Sequence, residues 1–282
     1  MYRIEEHQEK ATAIHLFKVA APEIARKARP GQFIIIQLDE KGERIPLTLA
    51  EWDAGRGTIT FIFMEVGATT CRLARLQAGD YVQHVVGPLG LPAHIENFGT
   101  VVCAAGGVGV APIMPIARAL KRAGNFIISI LGARTQELLF WEQELRQTSD
   151  EFIVTTDNGS YGRKALITEP LKEILSSRKI DRVIAIGPIP MMKFCSLTTR
   201  PFGVNTIVSL NPLMLDGTGM CGCCRVSIAG STKFACVDGP DFDGHQVDWD
   251  LMAYRAKFYT AEENTANEKH SCQLPFNKKG LP

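Results

Sequence analysis

The sequence predicts a β-barrel followed by a doubly wound parallel α/β domain and a small C-terminal module. In residues 1–96, short runs rich in β-branched and aromatic residues alternate with Gly- and Pro-containing turns, which is typical of a small antiparallel barrel. In residues 97–212, apolar strands, Gly-rich loops and helical segments follow one another, and this alternation indicates a parallel sheet covered by helices. In residues 213–282, four of the eight cysteines lie between Cys221 and Cys236. Such clustering is typical of a metal site and not of a disulfide framework.

Length and composition exclude several classes of protein. A chain of 282 residues suits two domains and a small module. Its 45% hydrophobic and 22% charged residues are those of a globular protein with a substantial core. The formal net charge of +1 and the lack of a long basic run argue against nucleic-acid binding. No signal-peptide pattern and no run of about eighteen apolar residues occurs, so we expect a cytoplasmic protein that does not enter the membrane.

Two short motifs in the predicted barrel point to a phosphate-containing ligand. The sequence Arg44-Ile-Pro-Leu-Thr48 lies between two predicted strands, and Val66-Gly-Ala-Thr-Thr70 follows the second of them. A guanidinium fork suits a diphosphate because it forms bidentate, charge-assisted hydrogen bonds. Together with Pro30-Gly-Gln-Phe33, this order resembles the flavin domain of the ferredoxin–NADP reductase superfamily. Taken alone, the first motif is equally consistent with a solvated hairpin arginine and an edge-strand proline.

The resemblance implies a set of FAD-binding residues. Arg44 would pair with the flavin diphosphate, and Thr48 would lie beside the isoalloxazine, near its N5 atom, as the catalytic residue. The turn that begins at Gly67 would add backbone N–H and hydroxyl donors to the same phosphates. Plant members of the superfamily carry an aromatic residue where Leu47 stands, so this chain resembles a different branch. The implied FAD-binding residues are Arg44, Pro46, Leu47, Thr48, Val66, Gly67, Thr69 and Thr70.

The Gly-rich loops of the second domain predict a dinucleotide site. Gly106, Gly107 and Gly109 follow the strand that begins at Thr100, and glycine there lets the backbone approach a pyrophosphate at a helix N-terminus. The loop lacks the full G-x-G-x-x-G spacing, so it is a weak signal alone. Each loop taken singly is also consistent with an ordinary β-to-α turn. Three further loops follow in order, however, and the succession resembles the nicotinamide-binding half of the same superfamily.

This resemblance implies that the last of these loops, Gly187-Pro-Ile-Pro-Met191, lies by the nicotinamide. Ile186 stands where many relatives have Cys, so no role for a thiol is carried over. Arg134 is consistent with contact to an adenosine phosphate and also with a surface charge. Glu137 would repel a 2′-phosphate, which favours NAD(H) over NADP(H). The implied NAD(H)-binding residues are Gly106, Gly107, Gly109, Arg134, Asp157, Gly187, Pro188 and Met191.

The stretch from Asp216 to Cys236 predicts a [2Fe-2S] cluster site. Plant-type clusters are held by thiolates spaced C-x4-C-x2-C with a distant fourth. Here Asp216-x4-Cys221-x2-Cys224 and the later Cys236 repeat that pattern with a carboxylate in first place. A hard oxygen ligand should raise the potential relative to an all-Cys cluster. The loop also contains residues that adopt positive φ without steric cost, namely Gly217, Gly219 and Gly222.

Alternatives to this cluster assignment stay open at this point. Zinc on the same four residues is chemically allowed, although structural zinc sites usually pair two C-x2-C-like units or include His. If Cys223 replaced Cys221 or Cys224 as a ligand, the x4 and x2 spacings would not both be kept. A Rieske-type site needs two histidines, and His245 is alone in this region, so we expect it at the surface or behind the ligands. From Glu262 onward the chain is polar enough for a partner-docking arm or partial disorder.

The order of barrel, nucleotide domain and cysteine loop resembles the electron-transfer subunits of the dihydroorotate dehydrogenase type, in which the first cluster ligand is Cys. Aspartate at that place resembles the family of small subunits of NADH-dependent reduced ferredoxin:NADP+ oxidoreductases, also described as sulfide dehydrogenase subunits. In that family the small subunit carries FAD and a [2Fe-2S] cluster and binds NAD(H). A larger flavin and [4Fe-4S] subunit bifurcates electrons between ferredoxin and nicotinamide.

The resemblance therefore implies an NAD(P)H-dependent flavin oxidoreductase subunit that works as a heterodimer with the larger subunit and reaches ferredoxin through the complex. A flavin is needed in such a relay because nicotinamide moves two electrons and iron–sulfur centres move one. Two other functions compete with this one. The same relay could serve a dihydroorotate dehydrogenase, or the chain could be a zinc-stabilised assembly or regulatory module without a redox cofactor.

Overall fold

A computed structural model of the chain describes residues 1–40 and 42–270. The N-terminal part contains seven strands and two short helices, which are β1 (Tyr2–Ala11), β2 (Ile14–Ala20), α1 (Pro22–Ala25), β3 (Phe33–Gln37), β4 (Arg44–Asp53), β5 (Thr58–Met64), α2 (Ala68–Leu73), β6 (Tyr81–Val82) and β7 (His84–Leu89). The strands form one antiparallel sheet in the order β6-β1-β2-β5-β4-β3-β7. Alternate side chains of its strands fill the interior, where Phe17, Phe61 and Phe63 are almost fully buried.

The predicted barrel domain is confirmed in the form of a curled half-barrel. Within the described residues the outermost strands β6 and β7 each pair with one neighbour, so the sheet curls without closing. The predicted apolar runs form β2, β3, β5 and the β6–β7 pair. Strand β1 was not predicted, because Ile4 is its one fully buried side chain and the rest of the strand is polar and partly exposed.

The second part of the chain alternates strands and helices as predicted. Its elements are β8 (Thr100–Gly106), α3 (Val110–Arg122), β9 (Phe126–Ala133), α4 (Glu142–Thr148), β10 (Glu151–Thr156), β11 (Arg163–Lys164), α5 (Thr168–Ser177), β12 (Arg182–Ile186), α6 (Ile189–Thr199) and β13 (Thr206–Ser209). The strands pair in parallel in the order β11-β10-β9-β8-β12-β13. The strand order reverses between β8 and β12, and ligands of open α/β sheets bind outside the carboxyl ends of the strands at such a point.

The C-terminal module is joined to the nucleotide-binding sheet. It contains β14 (Arg225–Ile228), β15 (Ser231–Phe234), β16 (Asp241–Asp243), α7 (Trp249–Arg255) and α8 (Thr260–His270). Strands β14 and β15 form a hairpin, whereas β16 pairs antiparallel with β13 and becomes the edge of the larger sheet. Cys224, Cys236 and Trp249 belong to the same apolar core as Val183 and Val208 of that sheet. The boundaries predicted near residues 96 and 212 remain predictions.

The half-barrel packs on α3 of the nucleotide domain. Ile14 and Leu16 point from the outer face of β2 into the apolar core that α3 shares with β8 and β9. At the edge of this contact, Arg118 Nη1 donates to Glu51 Oε1 at 2.5 Å. The part of the chain predicted as a docking arm is helical through His270, and its remainder lies outside the described residues. Within the described ranges, no helix combines the length and apolar character that crossing a bilayer requires.

Candidate functional site

The predicted flavin motif lies in the first half of β4, which pairs with only one neighbouring strand in the described part of the chain. Strand β3 pairs with β4 from Arg44 onward, whereas β5 joins it only from Leu49 onward. Pro46 therefore lies where β4 has one neighbouring strand, which is the kind of position that tolerates proline. The guanidinium of Arg44 is exposed and makes no ion pair with residues 1–40 or 42–270. An exposed, unpaired guanidinium is suited to an anionic ligand.

The second predicted flavin motif forms the turn into α2. The Thr70 hydroxyl oxygen accepts hydrogen bonds from the backbone N–H groups of Val66 and Gly67, each at 3.0 Å. The Thr69 hydroxyl donates to the Glu43 carboxylate. Both threonine hydroxyls are thus held by the protein and shape the turn. A Cβ placed on Gly67 would meet nothing within 4 Å, so the backbone there is open to a ligand.

A row of side chains joins the flavin motif to the cysteine loop. Thr48 on β4 is paired with Phe33 on β3, and Phe33 is paired in turn with Leu89 on β7. A Cβ on Gly217 of the cysteine loop would lie 2.5 Å from Leu89 Cδ1, so that loop packs directly on the end of β7. Neighbouring strands are about 4.8 Å apart, and two such spacings separate Thr48 from Leu89 by about 10 Å.

The predicted nicotinamide-binding residues meet at the reversal of the parallel sheet. The end of β8 and the end of β12 lie side by side, because a Cβ on Gly187 would come within 3.1 Å of Gly106 Cα. Gly109 packs against the backbone of Ile186, and the Met191 side chain lies over both Gly106 and Gly187. These contacts leave no room for a side chain at Gly106, Gly109 or Gly187. The structure therefore brings Gly106, Gly109, Gly187, Pro188 and Met191 together, and Gly107, at φ +55°, has open space beside it.

Arg134 and Asp157 lie at the same edge, at the ends of β9 and β10. The Asp157 backbone N–H donates to Ala133 O at 3.1 Å, which holds the two loops together. Burial raises the pKa of the Asp157 carboxyl, and the nearby Arg134 guanidinium opposes that rise. Glu137 follows in a short 3-10 turn and is exposed. This pair of opposite charges lies at the carboxyl ends of β9 and β10, the edge at which ligands of doubly wound folds bind.

The cysteine loop has the backbone conformation that its glycines predicted. Gly217, Gly219 and Gly222 have φ of +74°, +82° and +69°. Asp216 stabilises the loop, because its carboxylate accepts the N–H groups of Thr218 at 2.9 Å and Cys221 at 2.8 Å. These donors, Thr218 first, hold the pKa of Asp216 below its ordinary value.

The four predicted ligands are arranged as two pairs. The sulfur atoms of Cys224 and Cys236 are 3.2 Å apart and both residues are buried. Asp216, which is half-buried, and the exposed Cys221 form the second pair. Burial, and next the neighbouring Cys224, raise the pKa of the Cys236 thiol to about 12, so loss of its proton has to be coupled to binding of a metal.

This arrangement fits a two-metal centre better than a single ion. Two irons bridged by sulfide each take two protein ligands, and the loop offers two thiols on one side and a thiol with a carboxylate on the other. A single zinc ion needs three or four donors around one point, whereas the loop presents its donors as two pairs. Cys223 lies beside Cys221, with its sulfur 3.9 Å from Cys221 O. His245 contacts Thr199 of α6 and not the cysteine loop.

Comparison with known proteins identifies the family. The iron–sulfur cluster binding domain of dihydroorotate dehydrogenase B matches residues 211–248. A dihydroorotate dehydrogenase B (NAD(+)) electron transfer subunit homolog from Thermotoga maritima is 49% identical over 253 residues, which are 90% of this chain and 89% of that protein. The electron transfer subunit from Desulforamulus reducens is 33% identical over 82% of this chain and 90% of its own length. The chain belongs to the family of dihydroorotate dehydrogenase B electron transfer subunits and their homologues.

The chain is also similar to a chain of a solved structure. That structure is of the NADH-dependent reduced ferredoxin-NADP oxidoreductase, described for its insights into flavin-based electron bifurcation. One of its chains is 46% identical to the present one, with a TM-score of 0.91, over 95% of this chain and 97% of the other. Membership of the family and the reductase-like fold, both predicted from the sequence, are thus confirmed. The predicted zinc-stabilised module is not favoured by any of these matches.

Two sets of contacts at the cysteine loop were not predicted from the sequence. Phe33 and Leu89 connect the flavin motif with the cysteine loop; Phe33 was noted only as the last residue of the Pro30-Gly-Gln-Phe33 motif, and Leu89 was not singled out. Arg225 and Arg255 bond carbonyl groups of the cysteine loop, and Arg255 does so from 32 residues away. Strand register could have suggested the first pair, whereas nothing local pointed to Arg255.

Proposed function

We propose that the chain is the small subunit of an electron-bifurcating flavoprotein complex and that it carries electrons between NAD(H), FAD, a [2Fe-2S] cluster and a larger flavin and [4Fe-4S] partner. Ferredoxin and NADP+ would react through the complex and not with this chain alone. The similarity to the NADH-dependent reduced ferredoxin-NADP oxidoreductase over 95% of the chain supports this proposal. We place the complex in the cytoplasm.

The observation that carries the proposal is the short path from Thr48 to Gly217. Thr48, Phe33 and Leu89 lie in one row across β4, β3 and β7, and Leu89 packs on Gly217 of the cysteine loop. The carboxyl ends of β8 and β12, where the nicotinamide would lie, belong to the same sheet as β16, which follows the cysteine loop in the chain. One chain would therefore hold all three predicted redox groups.

The residues of each site would have separate tasks. Arg44 would hold the flavin diphosphate through its free guanidinium, and the open backbone at Gly67 would approach the same phosphates. Gly106, Gly187 and Met191 would shape the nicotinamide site, because their close packing leaves a flat surface at the strand ends. Thr48 would orient the reacting edge of the flavin. FAD supplies the exchange between a two-electron hydride and single electrons that the cluster accepts.

The cluster would be held by Asp216, Cys221, Cys224 and Cys236. The buried pair Cys224 and Cys236 belongs to the core that contains Phe33, whereas Asp216 is half-buried and Cys221 is exposed. The exposed side of the loop, where Met220 is 90% exposed, would face the partner subunit. Electrons would thus enter from the buried side and leave from the exposed one.

A second candidate function is electron transfer to a dihydroorotate dehydrogenase. The matched cluster-binding domain and the relatives' names favour it. Asp216 argues against it, since the dihydroorotate dehydrogenase type has cysteine as first ligand. The second chain that copurifies with the native protein decides between the two, because the candidates require different catalytic subunits.

Anaerobic purification of the native complex tests the proposal. We expect flavin and iron–sulfur absorption bands, two irons per small subunit, and a larger partner with [4Fe-4S] centres. Substitution Asp216→Cys should keep the two-iron centre and change its EPR signal and potential. A colourless chain that contains zinc, or an EPR spectrum that Asp216→Cys leaves unchanged, would count against the assigned ligands.

A further inference from the structure

Two arginines hold the cysteine loop by its carbonyl groups. Arg225 Nη1, at the start of β14, donates to Gly222 O at 2.6 Å. Arg255 Nη2, at the last position of α7, donates to Cys223 O at 3.0 Å. The two guanidinium groups come from different elements and bond two consecutive carbonyls. They therefore fix the orientation of two successive peptide groups in the middle of the loop.

Fixing these carbonyls also fixes the amide groups that follow them. In a planar trans peptide the C=O bond and the next N–H bond point in opposite directions. Because Arg225 binds Gly222 O, the N–H of Cys223 points away from the Arg225 guanidinium. Because Arg255 binds Cys223 O, the N–H of Cys224 likewise points away from the Arg255 guanidinium. The sulfur of Cys224, a predicted cluster ligand, lies 3.2 Å from that of Cys236.

A second observation points to the same role. Within residues 1–40 and 42–270, neither the N–H of Cys223 nor that of Cys224 donates to a protein acceptor. Cys224 is 1% exposed, and a buried N–H is normally paired with an acceptor. Two neighbouring N–H groups without a protein acceptor in the described part of the chain, in a loop that carries the predicted ligand cysteines, are suited to bond sulfur atoms of a cluster.

We propose that Arg225 and Arg255 are positioning residues that aim the N–H groups of Cys223 and Cys224 at the cluster sulfurs and thereby raise the reduction potential of the cluster. The inference rests on the proposed [2Fe-2S] site. Reduction adds negative charge to the cluster, and hydrogen bonds to its sulfurs stabilise that charge. The guanidinium charges act in the same direction, since both groups contact the loop and positive charge nearby stabilises the added electron.

The test is an EPR-monitored redox titration of the full chain, purified anaerobically. Arg255→Met keeps the aliphatic stem but removes the charge and the donors. We expect the cluster of this variant to be about tenfold harder to reduce, which for a one-electron couple is a shift of about 59 mV to more negative potential. Arg225→Met should shift the potential in the same direction. Arg255→Lys keeps the charge and one donor, so its shift should be smaller.

Lys257→Met is the matched control. It removes one positive charge two residues from Arg255, and its exposed side chain makes no bond to the loop in the described part of the chain. Unchanged potentials in both arginine variants, or an equal shift in Lys257→Met, would overturn the proposal. If Arg255→Met retains less iron than the wild type, its potential is set aside and the potential of Arg255→Lys is compared with that of the wild type instead. An unchanged potential in Arg255→Lys would then overturn the role of Arg255. Absence of a two-iron EPR signal from the wild type would instead refute the proposed function itself.

Discussion

The carboxylate of Asp241 makes the stability of the fold depend on pH. Asp241 begins β16, and its Oδ1 atom is inaccessible and has no hydrogen-bond partner among the described residues. Burial raises the pKa of this carboxyl to about 6, and a hydrogen bond with Ser209 opposes the rise only partly. The ionised form is therefore tolerated poorly in the folded protein.

The size of the effect follows from the two pKa values. The gap between 3.8 and about 6, at 1.36 kcal/mol for each pH unit, corresponds to about 3 kcal/mol. Because the folded pKa is raised, this stabilisation is complete below pH 3.8 and is lost as the pH rises through about 6. Roughly 1.4 kcal/mol of this stabilisation is lost between about pH 5 and pH 8. Asp241 as a whole residue is only half-buried, so we expect about 1 kcal/mol in practice.

Urea unfolding of the wild type and Asp241→Asn at about pH 5 and pH 8 measures this contribution. The asparagine cannot ionise, so the variant should gain about 1 kcal/mol relative to the wild type between the two pH values. Asp250→Asn removes a carboxyl from an exposed ion pair with Lys193 and is the control. A wild type that loses no more stability than Asp241→Asn on going to the higher pH would refute the reasoning.

Three further variants test the sites. Arg44→Ala should weaken FAD binding about 10- to 100-fold, because a charge-assisted hydrogen bond is worth about 1.5–3 kcal/mol; flavin fluorescence released on dilution measures this. Gly106→Ala should raise the KM for NADH without loss of FAD, because the new methyl group overlaps the Met191 sulfur. Gly217→Ala should lower the iron content, because φ is +74° and the methyl group would lie 2.5 Å from Leu89 Cδ1; the strain is about 1–3 kcal/mol.

Two of these variants have a control in the same chain. Arg56→Ala removes an exposed arginine that lies 3.8 Å from Asp53 and should leave FAD binding unchanged. Gly230→Ala tests the backbone alone, since Gly230 has φ +76° with nothing within 4 Å of the added methyl group. If Gly230→Ala and Gly217→Ala lost equal amounts of iron, the loss in Gly217→Ala would not be due to the contact with Leu89. If Gly106→Ala lost FAD together with NADH affinity, the two sites would not be separate.

Local signals predicted those parts of the molecule that local sequence determines. The three glycines of the cysteine loop have positive φ because the loop turns back on itself within a few residues. Their spacing in the sequence predicted this conformation. The β-to-α loops with Gly106 and Gly187 were predicted for the same reason, since each follows its own apolar strand directly. The residue roles assigned to these loops stay predictions.

Contacts between distant segments could not be predicted in this way. That β16 pairs with β13 depends on the three-dimensional path of about thirty residues between them. The bond from Arg255 to Cys223 O is likewise a product of where α7 packs. Strand β1 was missed because its polar residues show little of the alternation that identifies a half-buried strand.

The pairing of β16 with β13 has a consequence for attempts to divide the protein. A ferredoxin-like fragment cut out after Ser209 would leave β13 with unpaired backbone groups along one side, and such an edge recruits other chains and promotes aggregation. The excised piece would lose the sheet on which Phe242 and Trp249 rest. The C-terminal module and the nucleotide-binding sheet thus share one core, and exchange of cluster modules between relatives has to include both strands.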